Sequence, residues 1–137
     1  MRIIGRVESG IGDARRWLAK FNTAYSRKTG MPIYPGSLNL RLAESLDWRT
    51  PAIEAVTIKF AREEYGGERD ILLVPCRLPS LDDRDAFLWT TTRVLSDPEP
   101  AQVIEVIASI GLRAAYALED GDLIELEVVG ARPHDPG

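Results

Sequence analysis

The sequence has very few of the residues that build disulfide frameworks, thiolate metal centres and histidine-based catalytic sites. Cys76 is its only cysteine and His134 its only histidine among 137 residues. One thiol cannot form an internal disulfide or a cysteine cluster. His134 stands in the Pro/Gly-rich segment ARPHDPG, where it is a poor candidate for a base or a metal ligand, and no Ser-His-Asp or Cys-His arrangement is available.

Positive charge is outnumbered by negative charge, with 17 Lys and Arg against 21 Asp and Glu, and long apolar runs are scarce. The formal net charge is -4 and the pI is about 5.1, which disfavours a general nucleic-acid binder because such proteins need a basic face. No apolar stretch approaches the length of a membrane span, and the N-terminus lacks the pattern of a signal peptide. We therefore expect a cytoplasmic protein with no nucleic-acid and no membrane partner.

The composition indicates a packed domain, since 45% of the residues are hydrophobic and 28% are charged. We expect one domain over residues 1–130 and a flexible tail over residues 131–137. Alternating apolar residues and frequent turn signals predict six or seven strands in a small barrel. The predicted strands cover residues 1–8, 37–42, 53–60, 70–78, 86–92, 103–108 and 123–129.

Three segments between these strands have their own predicted structure. Apolar residues spaced three and four apart predict one helix over residues 14–28, closed by Gly30. Residues 43–52 read as a loop, and a short helix is expected around Leu112 to Tyr116. Gly66-Gly67 predicts a hairpin turn with positive φ.

The segment SGIGDAR, Ser9 to Arg15, is a glycine-bearing loop between a predicted strand and a predicted helix. Glycines let the backbone approach a ligand, and a helix start offers free N–H groups, so the loop suits a phosphate. It matches neither GxxxxGK[ST] nor GxGxxG. An ordinary strand-to-helix turn remains the alternative interpretation.

The segment PIYPGSLNLRL places Ser37 and Asn39 on one face of a strand, because side chains alternate with period two. A hydroxyl and an amide oxygen are hard, neutral ligands that suit Mg²⁺. Pro35 and Gly36 restrict the entry of the strand and would pre-place both oxygens. The alternative is a polar strand face with a turn-capping serine.

Two charged residues and one turn complete the set. Glu105 is the only charged residue in VIEVIA, so it either faces solvent or accepts a hydrogen bond from a ligand. Arg113 begins a short predicted helix, where it either meets a phosphate or faces solvent. Asp120-Gly121 is typical of a hairpin turn.

Taken in order, GRVESGIGDARRWL, PIYPGSLNLRL, EVIASIGLR and LEDGDLIELEV resemble the motifs of the archaeal-type CTP-dependent riboflavin kinases. The resemblance extends over roughly residues 3–129, and PGSLN together with EVIAS-x-x-LR…DGD carries most of its specificity. It implies a mainly β fold, a six-stranded cradle-loop barrel with one N-terminal helix and one short helix. It also implies transfer of the γ-phosphate of CTP to the 5′-hydroxyl of riboflavin, giving FMN and CDP, with Mg²⁺ as cofactor.

The resemblance implies roles for individual residues. Ser37 and Asn39 take the places of the magnesium ligands, and Glu105 and Thr92 those of two flavin contacts. Glu105 is also the nearest candidate for a catalytic base. The implied nucleotide-binding residues are Gly10, Ile11, Gly12, Asp13, Ala14 and Arg15 in a first segment and Ile110, Gly111, Leu112 and Arg113 in a second.

The sequence departs from the family pattern at three places. Ala14 replaces a glycine, so its Cβ would clash if the position needs a positive φ. Ser109 replaces a proline, and TTTR at residues 90–93 replaces the family's P-E-R-T-H-Y-like stretch. Two alternatives therefore stay open: a related barrel that phosphorylates another small alcohol, and a non-enzymatic ligand-binding or regulatory barrel.

Overall fold

Seven strands and six short helices are arranged along the described part of the chain. The computed structural model describes residues 1–10 and 13–129. In chain order the elements are β1 (Arg2–Glu8), α1 (Asp13–Lys20), α2 (Asn22–Thr29), β2 (Leu38–Leu46), α3 (Pro51–Glu54), β3 (Ile58–Phe60), α4 (Arg62–Tyr65), β4 (Ile71–Leu78), β5 (Arg84–Thr91), a 3₁₀ helix (Thr92–Leu95), β6 (Ala101–Ala108), α5 (Leu112–Ala115) and β7 (Leu123–Val128).

Six of the strands close into an antiparallel barrel. Their order is β4-β5-β6-β2-β1-β7, and β7 pairs with β4 to complete the circle. The seventh strand, β3, adds to the outer edge of β4. Closure leaves few unpaired strand edges, which otherwise template association. The mainly β fold and the six-stranded barrel expected from the sequence are confirmed.

The barrel interior is built by the alternation that was visible in the sequence. Leu38 and Leu40 of β2 stand opposite Val106 and Ile104 of β6, and all four side chains are at most 5% exposed. Because successive side chains point to opposite faces, the residues between them face outward. Asn39 and Glu105 therefore belong to the outer surface of the barrel.

A second apolar cluster lies outside the barrel, where α1 and α2 pack on its surface. Leu18 and Tyr25 of the helices contact a patch that includes Leu73, Phe87 and Trp89. The Trp89 indole N–H donates to the Tyr25 hydroxyl at 2.8 Å in this buried cluster. The helices thus cover one sector of the outer surface and leave the neighbouring sector, with Asn39 and Glu105, open.

The single helix predicted over residues 14–28 is wrong, because the chain bends at Phe21 and forms two helices. Phe21 has φ -109 and ψ 22, outside helical values. The bend lets Leu18 of α1 and Tyr25 of α2 both reach the curved barrel surface. Gly30, with φ 76, closes α2 as predicted.

The segment 43–60 also differs from the prediction. The strand β2 continues to Leu46 and Pro51–Glu54 is helical, so the predicted loop over 43–52 is confirmed only at residues 47–50, and the predicted strand over 53–60 only at Ile58–Phe60. Proline is favoured in the first turn of a helix, where its missing N–H costs nothing. Ile53 is the one buried residue of this helix, and its apolar side chain had been read as the first inward-facing residue of a strand.

Two smaller corrections concern turns and helix number. Gly66 has φ 76 and caps α4, whereas Gly67 has no positive φ, so only half of the predicted Gly-Gly turn is confirmed. The expectation of one N-terminal helix and one short helix is too low.

No helix in the described residues is both long and apolar enough to cross a bilayer. The predicted tail, with His134, lies outside the described residues.

Candidate functional site

A row of polar side chains crosses the open sector of the barrel surface. Asn39 on β2 stands opposite Glu8 on β1 and opposite Glu105 on β6. Glu105 in turn stands opposite Trp89 on β5. Directly paired residues of an antiparallel ladder lie on the same face. Residues far apart in sequence therefore meet on one surface.

Ser37 and Glu105 are in direct contact at the end of this row. The Ser37 hydroxyl donates a hydrogen bond to Glu105 Oε1 at 2.8 Å. Ser37 stands just before β2, where the PIYPG turn delivers the chain to the barrel. The turn is held by a hydrogen bond from the Tyr34 N–H to the Ala108 carbonyl of β6, at 2.8 Å.

Burial raises the pKa of the Glu105 carboxyl above its ordinary value. The hydrogen bond from Ser37 lowers this pKa in part, and the negative charge of Asp13 raises it further. Asp13 is the first residue of α1, so the start of the helix faces the carboxylate. A half-buried carboxyl with a raised pKa is a group suited to accept a proton or a cation.

The glycine-bearing loop begins directly above Asn39. A Cβ added at Gly10 would collide with the Asn39 side-chain amide. The absence of a side chain at residue 10 therefore permits the Gly10 backbone to lie against Asn39. Ile11 and Gly12, the next two predicted nucleotide contacts, lie outside the described residues.

A cavity of about 380 Å³ opens beside Ser37 and joins the two predicted nucleotide segments. Arg15 contributes to its wall from the first segment, and Gly111 and Arg113 from the second. Tyr34, a residue that is 38% exposed, also lines it, and its ring lies against Gly111. We call it the Arg15–Arg113 cavity.

A second cavity, of about 210 Å³, lies against α1 and α2 and is lined in part by Trp89, the residue opposite Glu105. Its lining is largely aromatic, and we call it the aromatic cavity. The lining residues are Trp17, Phe21, Tyr25, Tyr65, Glu68, Arg69, Ile71, Trp89 and Thr91. Thr92, the predicted flavin contact, begins the 3₁₀ helix, and its neighbour Thr91 reaches the cavity.

A larger cavity of about 570 Å³ lies elsewhere, beside Gly30, Val56 and Phe87. Among the residues that the structure describes, its lining contains none of the predicted site residues. Size alone therefore does not identify the functional site of this protein.

Two predicted nucleotide-binding residues have side chains that are buried in the apolar clusters. Ala14 is buried against the helix cluster and Leu112 is buried in the barrel cluster. Ala14 lies in α1 and has no positive φ, so the clash considered from the sequence does not arise. Ile110 is half-buried and lines the Arg15–Arg113 cavity.

Asp120, which sequence reasoning assigned only to a hairpin turn, contacts both predicted nucleotide regions. Its carboxylate accepts hydrogen bonds from the Ser9 hydroxyl, at 3.0 Å to each oxygen, and lies 2.8 Å from Arg113 Nη1. It therefore bridges the start of the glycine-bearing loop and α5. The sequence signal that could have pointed to Asp120 is that DGD belongs to the same set of family motifs as EVIASIGLR.

The polar row offers oxygen ligands of the kind that Mg²⁺ prefers. Ser37 supplies a hydroxyl, Asn39 an amide oxygen and Glu105 a carboxylate. Among the described residues there is no group of three or more His, Cys, Asp or Glu side chains that could hold a metal ion. The donor set fits an ion that takes few protein ligands and completes its shell with water and phosphate oxygens.

Comparison with known sequences decides the family. The model of the family named CTP-dep_RFKase, described as a domain of unknown function, DUF120, matches residues 7–128. The chain belongs to this family. The matched range covers every described residue of the polar row and both walls of the Arg15–Arg113 cavity.

Several curated relatives are similar to this member of the CTP-dep_RFKase family, and three are representative. A protein of Archaeoglobus fulgidus named riboflavin kinase is 29% identical over 134 residues, covering 94% of this chain and 55% of its own length. The riboflavin kinase of Pyrobaculum aerophilum is 28% identical over 94% of this chain and 61% of its own length. That of Methanoregula boonei is 30% identical over 90% of this chain and 55% of its own length. The chain thus spans little more than half the length of these relatives.

Proposed function

We propose that this chain is a riboflavin kinase unit that transfers the γ-phosphate of CTP to the 5′-hydroxyl of riboflavin. The observation that carries the proposal is the hydrogen bond between Ser37 and Glu105. Ser37 lines the Arg15–Arg113 cavity, and Glu105 stands opposite Trp89, which lines the aromatic cavity. A donor and an acceptor bound in the two cavities would meet at this pair.

The nucleotide occupies the Arg15–Arg113 cavity in this proposal. Backbone N–H groups of the loop that starts at Gly10, together with Arg15 and Arg113, hold the phosphates. The exposed ring of Tyr34 offers a face on which the base stacks. Two cations and a backbone cradle are sufficient for one phosphate chain, and this agrees with the acidic balance of the whole protein.

Ser37 and Asn39 hold Mg²⁺ beside the phosphates, with Glu105 next to them. When bound, the ion neutralises charge on the phosphate oxygens. The chain's own contribution is to orient these ligands. Glu105 accepts the Ser37 hydroxyl hydrogen, which leaves the lone pairs of that oxygen free to bind the cation.

Riboflavin occupies the aromatic cavity, with its ring system among Trp17, Phe21 and Trp89 and its ribityl chain directed toward Glu105. A flat, largely apolar ring system suits such a lining. The 5′-hydroxyl oxygen bonds to the γ-phosphorus as the bond from that phosphorus to the β-γ bridging oxygen breaks, and CDP leaves. The hydroxyl proton passes to the Glu105 carboxylate, which accepts it as general base in this proposal.

The direct test is turnover with a panel of phosphate donors. Purified chain is incubated with riboflavin, Mg²⁺ and CTP, ATP, GTP or UTP in turn, and FMN is separated by chromatography with fluorescence detection. We expect FMN with CTP and little with ATP. Absence of product from every donor would overturn the proposal.

A thermal-shift series separates the alternatives for the acceptor. A ligand at a hundred times its Kd stabilises the folded chain by about 2.7 kcal/mol. Stabilisation by CTP without stabilisation by riboflavin would indicate another small alcohol as acceptor. Stabilisation by neither would favour a non-enzymatic barrel.

A further inference from the structure

Asp120 lies where three separate segments of the chain converge. Its carboxylate is bonded to Ser9, at the start of the glycine-bearing loop, and to Arg113 on α5. Ser9 and Asp120 are 111 positions apart in sequence. Each of the two partners stands next to, or within, a segment that lines the Arg15–Arg113 cavity.

The turn that carries Asp120 is fixed to the barrel. The Gly121 N–H donates to the Val7 carbonyl at 2.8 Å, and the Val7 N–H donates to the Asp122 carbonyl at 2.9 Å. Arg6 Nη1 donates to the Gly121 carbonyl at 2.9 Å, and Gly121 has φ 93, which few residues other than glycine adopt. The Asp120 carboxylate is therefore presented from a rigid anchor on β1.

The Arg113 side chain gains its position from this anchor. A guanidinium has five N–H donors on a long and flexible stem. The contact of Nη1 with Asp120 Oδ1 restricts that stem, while the remaining donors stay available at the wall of the cavity. A side chain that is already restricted loses less entropy when a ligand binds.

The electrostatic environment supports the same interpretation. Hydrogen bonds from Arg113 and from Ser9 lower the pKa of the Asp120 carboxyl. The carboxylate thus stays charged as a partner of the guanidinium. Asp120 is therefore a constant negative charge that holds the Arg113 guanidinium at the anchored turn.

We infer that Asp120 is a positioning residue for nucleotide binding, which holds Arg113 and the Ser9 end of the glycine-bearing loop in one phosphate-binding unit. This inference rests on the proposed function, because it names the residue that prepares the nucleotide half of the same site. It assigns no contact between Asp120 and the substrate. The residue acts through Arg113 and Ser9.

The test is a double-mutant cycle read out by binding. Wild type, Asp120→Ala, Asp120→Asn, Arg113→Ala and the double variant Asp120→Ala/Arg113→Ala are titrated with CTP and Mg²⁺ by calorimetry, and separately with riboflavin. Asp47→Asn is the matched control, because Asp47 forms an exposed ion pair with Arg49 at 3.0 Å on another part of the surface. Thermal unfolding of every variant is followed in parallel.

We expect Asp120→Ala to raise the Kd for CTP about tenfold. The Arg113 side chain is then no longer restricted by Asp120, and CTP must order it on binding. Asp120→Asn, which keeps an oxygen for Ser9 and loses the charge, should raise the Kd by a smaller factor. The Kd for riboflavin and the Tm should not change, because the group is exposed. The double variant should lose less affinity for CTP than the sum of the losses in the two single variants, because part of the effect of Asp120 passes through Arg113.

Three results would overturn the inference. The first is an unchanged or lower Kd for CTP in Asp120→Ala, and the second is an equal loss of riboflavin binding. The third is a double variant whose losses simply add, since Asp120 would then act independently of Arg113. A wild-type chain that binds neither CTP nor another nucleoside triphosphate would overturn the proposed function, and this inference with it.

Discussion

The Ser37 hydroxyl and the Glu105 carboxylate form a hydrogen bond of 2.8 Å, although the two residues are 68 positions apart in sequence. Ser37 belongs to the turn that enters β2, and Glu105 lies in the middle of β6. Pairing of these strands brings them together beside Asn39. A hydroxyl that donates to a half-buried carboxylate has a defined orientation, and this orientation has measurable consequences.

The first consequence concerns the hydroxyl itself. Ser37→Ala removes the donor and should lower kcat/KM about 10- to 100-fold with a higher requirement for Mg²⁺. Ser37→Thr keeps the hydroxyl and should retain most of the activity. The measurement is the initial rate of FMN formation over a series of Mg²⁺ concentrations. An unchanged Mg²⁺ requirement in Ser37→Ala would exclude Ser37 as a ligand.

A second prediction follows from the raised pKa of Glu105. In the absence of Mg²⁺ and nucleotide, the folded state holds this proton more tightly than the unfolded chain does. The contribution of the group to the free energy of unfolding is therefore fully present below the ordinary pKa of 4.5 and is lost as the pH rises through the raised value.

Glu105→Gln removes this titration while it keeps an oxygen that accepts from Ser37. We expect the Tm of the wild type to fall relative to that of Glu105→Gln as the pH is raised from about pH 4 to about pH 8. Thermal unfolding followed by circular dichroism in EDTA buffers gives the comparison. Two curves that stay parallel over this range would show that folding does not perturb Glu105.

The packing of the helices on the barrel predicts a specific stability loss. Tyr25→Phe leaves the buried Trp89 indole N–H without its acceptor and should cost about 1–3 kcal/mol of unfolding free energy. Tyr34→Phe is the matched control, since its ring is exposed and its hydroxyl is not in the core. Equal urea midpoints for the two variants would contradict the role of the Tyr25–Trp89 pair.

The exposed ring of Tyr34 predicts a selective effect on the nucleotide. Tyr34→Ala removes the stacking face and should raise the Kd for CTP about tenfold, because base–aromatic stacking contributes about 1–3 kcal/mol. Tyr34→Phe keeps the ring and should bind CTP nearly as the wild type does. Calorimetric titration distinguishes the two. Equal affinities of Tyr34→Ala and wild type would remove Tyr34 from the nucleotide site.

Much of the barrel could be predicted because its signal is local. The alternation around Leu38 and Leu40 defines which residues point inward, and hence that Ser37 and Asn39 share the outer face. The same alternation in β6 places Glu105 on the outer face and Ile104 and Val106 on the inner face. The pairing of β2 with β6, which brings Glu105 to Ser37, is a long-range contact that period alone does not specify.

The features that were missed depend on tertiary contacts. The bend at Phe21 separates α1 from α2, and helical periodicity does not encode it. The helix at Pro51–Glu54 replaced a predicted strand because one buried residue, Ile53, satisfied both patterns. Asp120 stood in a turn motif, and only its distance from Arg113 reveals a second role. The roles assigned to the site residues, Ile11 and Gly12 among them, stay predictions.

The most direct test of the proposed site is the formation of FMN by Asn39→Ala beside the wild type and the Asp47→Asn control. All three chains are assayed with riboflavin, CTP and Mg²⁺ at equal concentration, and their Tm values are measured in the same buffer. We expect the wild type and the control to form FMN, and Asn39→Ala to lose at least about a hundredfold in rate with its Tm preserved. Turnover of Asn39→Ala at the wild-type rate would contradict the assignment of the polar row as the centre of phosphoryl transfer.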